Sequence, residues 1–165
     1  IGSKSSSPYL GCGLRVPTSK KERYNDKNQL IEIQEILGNG SLLTRTDLKY
    51  DVNGTITLKE VRWLDGRILQ QQKYDAAGLL IEDNHYLDSA ALPIQHLYTR
   101  NPRGEIVEER IIYAGELQEK AELSYRYDHK GNWITCEKMI AQYLENQYIS
   151  GRREYVCRSI TYFED

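Results

Sequence analysis

The side chains that could do chemistry fall into a few groups. Glu32, Glu60, Glu82, Glu108 and Glu137 recur in the middle of successive polar segments, and Asp51, Asp75 and Asp128 recur within short Gly-containing turns. A pair of carboxylates flanking a bond is what glycoside hydrolysis uses. Carboxylates repeated once per segment read instead as a solvated polar band that discourages edge-to-edge aggregation. The turn aspartates match no calcium-loop spacing and are explained as hydrogen-bonding turn residues. His85, His96 and His129 lie on different strands or turns, without ligand spacing, and Cys12, Cys136 and Cys157 fit no zinc pattern. No Ser or Cys stands in a nucleophile elbow. The sequence therefore predicts no catalytic residue, no metal site and no cofactor. Cys136 and Cys157 would face each other across a turn centred on Asn146-Gln147. A disulfide is one reading of them, and two small buried apolar side chains is the favoured one.

A binding constellation survives this sorting. Trp63, Tyr86, Tyr113, Trp133, Tyr143 and Tyr148 stand beside polar mid-segment residues, among them Glu60, Glu82, Glu108 and Glu137. Aromatic faces next to carboxylates and amides suit a sugar or a peptide. The competing reading is a Tyr-rich core in a thin sheet.

The elements that must position these groups are written in a repeat. Its turns are Asn25-Asp26-Lys27-Asn28, Asp51-Val52-Asn53-Gly54, Asp75-Ala76-Ala77-Gly78, Asn101-Pro102-Arg103-Gly104 and Asp128-His129-Lys130-Gly131. Asp or Asn first and Gly or Asn fourth is the chemistry of a type I turn closed by a left-handed residue, the common three-residue hairpin loop. Tyr24, Tyr50, Tyr74 and Tyr127 precede four of the turns. Arg100 takes that place in the Pro102 copy, with Tyr98 one pleat earlier. Leu30, Ile56, Leu80, Ile106 and Trp133 follow, and each is expected to close its hairpin as a cross-strand pair. A second series alternates with the first. Asn39-Gly40 and Asp65-Gly66 read as two-residue type I′ turns, with Asp88-Ser89-Ala90, Ala114-Gly115 and the Asn146-to-Gly151 stretch in equivalent places.

Turns recurring about every twelve residues leave no room for a helical crossover. The expected fold is all-β: an antiparallel up-and-down meander of about ten to eleven strands, as an open curled sheet or a partly closed barrel. Residues 20–165 form its single domain, preceded by an irregular Gly/Ser/Pro-rich tether over residues 1–19. Along the strand after each turn, Leu30/Ile31, Ile56/Thr57, Leu80/Ile81, Ile106/Val107 and Trp133/Ile134 begin the segment. Ile36/Leu37, Arg62/Trp63, Tyr86/Leu87, Ile112/Tyr113 and Met139/Ile140 end it. All but Thr57 and Arg62 are apolar, whereas the positions between are mostly charged. Adjacent residues point to opposite faces, so these strands are expected to be apolar on both faces at their ends and wetted at the waist. That is neither a simple sandwich nor a membrane barrel.

Composition narrows the partners. Lys+Arg 22 against Asp+Glu 24 gives a net charge of −2, which disfavours nucleic acid or an anionic membrane. No apolar run approaches the ~20 residues of a spanning helix. With 13 Tyr against one Phe, the aromatics are expected to be half-buried with the hydroxyl reaching water or a partner. The chain opens on Ile rather than Met and shows no signal peptide, which points to a fragment or processed product. Tyr9-Leu10-Gly11-Cys12 is similar to a lipoprotein cleavage site but lacks a preceding apolar run, so a lipid anchor would have to lie upstream.

The Tyr-Asp-x-x-Gly unit resembles the YD repeats of the RHS family of bacterial proteins. It also resembles small bacterial envelope proteins with a few such repeats and a Tyr/Phe-rich final strand, here Ile160-Thr161-Tyr162-Phe163. The matching positions are Tyr50-Asp51…Gly54, Tyr74-Asp75…Gly78 and Tyr127-Asp128…Gly131, with Tyr24-Asn25…Asn28 a degenerate copy. The resemblance implies the sheet, a bacterial origin and an exported location, periplasmic or cell-surface, with the cytoplasm as the alternative. Large RHS shells enclose a toxin, and the copies here are too few for that. Such repeats are also described as carbohydrate-binding. The expected function is a non-enzymatic module that binds a glycan or a protein through a sheet face or an unpaired edge. An immunity protein against a secreted toxin is the first alternative, and a carboxylate-dependent glycan-active enzyme the second.

Overall fold

The computed structural model describes residues 18–87, 92–145 and 147–162. They form one antiparallel sheet of eleven strands in strict chain order, with no helix among them. The strands are β1 (Thr18–Tyr24), β2 (Leu30–Leu37), β3 (Leu42–Tyr50), β4 (Ile56–Trp63), β5 (Ile68–Tyr74), β6 (Leu80–His85), β7 (Ile94–Arg100), β8 (Ile106–Tyr113), β9 (Glu116–Tyr127), β10 (Trp133–Leu144) and β11 (Gln147–Cys157). No contact joins β1 to β11, so the sheet is open rather than a barrel. The first strand begins at Thr18, two residues before the expected boundary; residues 1–17, with Cys12, lie outside the described residues.

The five principal turns are built alike. In the second, the Asp51 N–H donates to the Thr55 carbonyl (2.9 Å) and the Gly54 N–H to the Asp51 carbonyl (3.2 Å). The Asp51 carboxylate accepts the N–H groups of Asn53 (2.9 Å) and Thr55 (2.8 Å). Asn25, Asp75, Asn101 and Asp128 accept the corresponding pairs. The fourth residue is left-handed each time, from φ 58° at Asn28 to 89° at Gly54. Register pairs Tyr24 with Leu30, Tyr50 with Ile56, Tyr74 with Leu80, Arg100 with Ile106 and Tyr127 with Trp133, as the repeat predicts.

Side chains at the turns or one pleat before them also do something the repeat did not show. The Tyr50 hydroxyl donates to the Leu30 carbonyl of the preceding repeat (2.7 Å), and the Tyr125 hydroxyl to that of Ile106 (2.8 Å). The Arg100 guanidinium substitutes for the phenol and donates to the Leu80 carbonyl (3.2 Å). Polar tips thereby stitch one hairpin to the next, a task Phe could not perform.

The second turn series departs from expectation. At Asn39-Gly40 and Asp65-Gly66 only the glycines have positive φ, 86° and 84°, whereas type I′ needs it at both central residues. The closing bonds run from the Leu37 N–H to the Ser41 carbonyl and from the Trp63 N–H to the Arg67 carbonyl, giving three-residue loops. The reason is local: Asn39 and Asp65 turn their side chains back onto the N–H groups of Ser41 and Arg67, as the principal turns do. The one described loop with both central residues left-handed is Ala114-Gly115, at 53° and 83°. The Asp88-Ser89-Ala90 turn lies outside the described residues. The Asn146-to-Gly151 stretch is not a loose turn, because Leu144 pairs with Gln147 and β11 starts there. Ile160-Thr161-Tyr162 is not strand either; Phe163 lies outside the described residues. This segment instead reaches back to the last turn. The Tyr162 hydroxyl donates to Asp128 and its ring carries Lys130 at 3.9 Å.

The core is small. Among described hydrophobic residues only Ala121, Cys136 and Ile140 are buried, and β11 is exposed along its whole length. The waist is drier than expected, since Glu32, Asp83 and Asn84 are buried at mid-strand. Long Arg, Lys and Gln neighbours shield these polar groups in a layer that no second sheet covers.

Candidate ligand-binding groove

The register decides which side chains share a face. Glu32 pairs with Asp47, Asp47 with Glu60, Glu60 with Gln71, and Gln71 with Asn84, two residues from Glu82. Glu82 pairs with Leu97, Leu97 with Arg110 and Glu108 with Glu122; Glu122 then pairs with Met139, two residues from Glu137. All five waist glutamates therefore lie on one face, the carboxylate face. Each meets a cation there: Glu32 bonds Arg23 (3.1 Å) and Arg45 (3.0 Å), Glu60 bonds Arg62, and Glu82 bonds Lys73 (2.9 Å). Glu108 bonds Lys120 (3.1 Å) and Glu137 bonds Arg153 (3.0 Å). Burial pushes the Glu82 carboxyl up, but hydrogen bonds from Lys73 and Asn84 outweigh it and hold the group below its usual range. That is the opposite of what a general acid requires.

Most of the sequence-predicted aromatics are not beside these carboxylates. Trp63 pairs with Thr44 and Tyr113 with Ile94, on the opposite face. Trp133 would share the Glu137 face in a regular strand. A bulge between Trp133 and Thr135 turns it over, and its ring meets that of Tyr125 at 6.1 Å. The Arg158 guanidinium lies over the same ring at 3.9 Å. Trp133 also lies at the principal-turn end of the sheet, whereas Trp63 and Tyr113 lie at the other end, a strand length of roughly 25 Å away along the strand direction. Tyr86 follows the end of β6 and anchors there through its N–H to the Leu69 carbonyl (2.9 Å). The turn residues Tyr50, Asp51, Gly54, Tyr74, Asp75, Gly78, Tyr127, Asp128 and Gly131 are scaffold, as their hydrogen bonds and register show.

The face opposite the carboxylates carries a polar string that sequence reasoning missed. Asp83 accepts from Gln70 (2.9 Å) and Gln72 (3.0 Å) and lies 3.4 Å from His85. The His85 and His96 rings meet edge to face at 5.8 Å. His96 lies 3.6 Å from Glu109, which takes Lys138 at 3.1 Å from across β9. The two histidines are 11 positions apart in sequence, so only the β6–β7 register reveals their contact. No group of three or more His, Cys, Asp or Glu among the described residues could hold a metal ion. Cys136 is buried beside Tyr125, and Cys157 is exposed opposite Thr135. Paired one residue out of step, they point to opposite faces and remain free thiols.

A concavity that can take a ligand and is lined by aromatic and apolar side chains lies on the carboxylate face, over β9–β11. Its volume is about 390 Å³, within the range of small-molecule sites. Met139 and Ala141 form the floor together with Gly151, which pairs with Ala141. A Cβ at Gly151 would sit 2.9 Å from the Ile140 carbonyl and 3.0 Å from the Tyr148 hydroxyl, so this position must stay bare for Tyr148 to lie where it does. Tyr148 meets Tyr143 edge to face at 6.2 Å and makes the wall. Lys120, Glu122 and Arg153 make the rim, with Lys120 bonded to Glu122 at 2.7 Å. The hydrogen bonds it donates to Glu122 and then Glu108 hold the Lys120 ammonium above its ordinary pKa, so the rim keeps this cation at neutral pH. Met139 and Tyr148 are 48% and 64% exposed, an open apolar surface ringed by charge. Of the groove residues, only Tyr143 and Tyr148 were expected from sequence to bind a ligand, although Gly151 ends a stretch the sequence marks as irregular. Met139, Ala141 and Gly151 carry no motif, and their grouping depends on the β10–β11 register.

No family model matches the chain, and no curated protein matches it. Similar solved structures include a porin-like protein from Bacteroides uniformis, at 9% identity and TM-score 0.49, covering 86% of this chain and 77% of that one. A protein of unknown function from Bacteroides fragilis is 11% identical with TM-score 0.37, covering 86% and 94%. A DUF3836 family protein from Parabacteroides distasonis is 11% identical with TM-score 0.24, covering 86% and 91%.

Proposed function

We propose that the protein is a non-enzymatic, exported bacterial binding module whose groove over β9–β11 takes a sugar. The observation that carries this reading is the exposed Tyr148–Met139 surface ringed by Lys120, Glu122 and Arg153. A pyranose has an apolar C–H face and a polar rim. Tyr148 and Met139 fit the first, while the carboxylate and cations can exchange hydrogen bonds with the second. The pairing of every waist glutamate with a cation favours binding over acid–base catalysis, which needs a carboxyl held protonated near neutral pH. The compartment rests on the YD-repeat resemblance.

The test is a glycan array with the full chain, followed by calorimetric titration of the best ligand. Tyr148→Ala should weaken binding about tenfold or more, as truncation of a central aromatic does. Trp133→Phe, on the opposite face, should leave it unchanged. Absence of binding to any glycan class, or binding indifferent to Tyr148→Ala, would sink the proposal.

A further inference from the structure

An open sheet has two edges, and here they differ. β1 has seven residues, with Lys20, Lys21 and Arg23 set against one Glu22. Cationic side chains on a short edge are a common guard against strand addition. β11 has eleven residues, all exposed, including Tyr155 (59%) and Val156 (54%). Its register with β10 runs unbroken from Ser150 to Cys157. The Arg158 N–H donates inward to the Ile134 carbonyl at 3.0 Å, and hydrogen bonding alternates along a strand. The amides of Gly151, Arg153 and Tyr155 therefore point away from the sheet and are available to another strand.

We propose that β11 pairs antiparallel with β11 of a second copy of this chain, about a twofold axis at Arg153, to form a continuous sheet across a homodimer. Charge selects this register, and strand length favours this edge. With Arg153 beside its own copy, Arg152 lies opposite Glu154 of the second copy, and Glu154 opposite Arg152. One contact thus supplies two symmetric opposite-charge pairs, as a self-complementary interface requires. Within one chain Arg152 and Glu154 already meet at 2.9 Å, on a shared face, so both side chains are placed to make these pairs. The two Arg153 side chains near the axis are each neutralised by their own Glu137 at 3.0 Å. Shifting the register by two residues puts Arg152 opposite Arg152, or Glu154 opposite Glu154. Pairing β11 with β1, or β1 with itself, can also set opposite charges together through Lys20 and Glu22, but it uses a seven-residue strand with three cations against one carboxylate. Arg153 pairs with Met139, on the groove side of the sheet, so a twofold axis normal to the sheet places both grooves on one continuous face. The dimer does not depend on what the groove binds.

The test is sedimentation velocity over a wide dilution series of the full chain, with circular dichroism confirming the β fold of each variant. Wild type should show a reversible monomer–dimer equilibrium. Arg152→Glu and Glu154→Arg each create two like-charge contacts and should each weaken the dimer about tenfold or more. The double exchange, Arg152→Glu with Glu154→Arg, restores opposite charges and should restore the dimer. Lys21→Glu on the other edge should change nothing. A wild type that stays monomeric at every concentration overturns the proposal, as does a dimer indifferent to the single exchanges. A double variant that fails to recover, or a dimer lost on Lys21→Glu, overturns it too.

Discussion

Replacing Asp51 tests whether the repeat's first residue is structural. Its Oδ1 accepts the Asn53 N–H at 2.9 Å and the Thr55 N–H at 2.8 Å, tying the loop to the first residue of the returning segment. Asp51→Ala removes both acceptors. Asn53 is exposed, so water replaces that bond at little cost, while Thr55 is half-buried and its amide is less readily rehydrated. One bond largely lost and one largely replaced gives a destabilisation of about 1–1.5 kcal/mol, in the range of losing an equivalent side-chain cap. Asp51→Asn retains the Oδ1 acceptor. Asn25 and Asn101 already hold this place in two sister turns, so it should cost less than about 0.5 kcal/mol. Urea denaturation followed by circular dichroism separates the cases, with the midpoint shifted and the slope unchanged if only stability moves. If Asp51→Asn proves as damaging as Asp51→Ala, the charge is what matters and the hydrogen-bonding account is wrong. If neither variant moves the midpoint, the turn is held by its glycine and its cross-strand pair alone.

Two further outcomes follow from backbone strain and titration. Ala114 sits at φ 53°, which costs a Cβ-bearing residue about 1–2 kcal/mol, whereas Gly gives back about 0.5–1 kcal/mol through its unfolded-state entropy. Ala114→Gly should therefore stabilise the sheet by roughly 0.5 kcal/mol in the same urea assay, and a destabilised variant would contradict the strain argument. The Tyr125 phenol is pushed up to about 12, first by burial and then by the neighbouring Cys136. The folded chain thus holds this proton more tightly than the unfolded chain, whose Tyr titrates near 10. The resulting stability is complete below about pH 10 and is lost as pH rises through about 12. Phenolate absorbance under native conditions should show a component ionising near pH 12 that Tyr125→Phe removes; a component that survives Tyr125→Phe unchanged would place the burial elsewhere.

The strand order was legible because every connection is a hairpin. Once Asp51…Gly54 and its siblings are recognised as turns, neighbours in sequence become neighbours in the sheet, and no long-range choice remains. The side-chain faces were less legible, for a reason the same repeat supplies. Each principal turn is flanked by a register shift, at Tyr24, Tyr50, Tyr74, Arg100 and between Trp133 and Thr135. A shift of one residue reverses which face a side chain joins. Counting alternation back from Glu137 therefore places Trp133 beside it, and the bulge removes Trp133 to the other face. The same sensitivity hid the His85–His96 contact and the Met139–Gly151–Tyr148 grouping, which exist only in one register. The turn reading at Asn39-Gly40 failed differently. Asn-Gly is compatible with a two-residue loop, but an Asn side chain that accepts the Ser41 N–H at 3.0 Å stabilises the three-residue loop, and a local dipeptide rule cannot weigh that bond. What repeats in this chain thus specifies the sheet, whereas the groove and the β11 edge are made of residues that occur once.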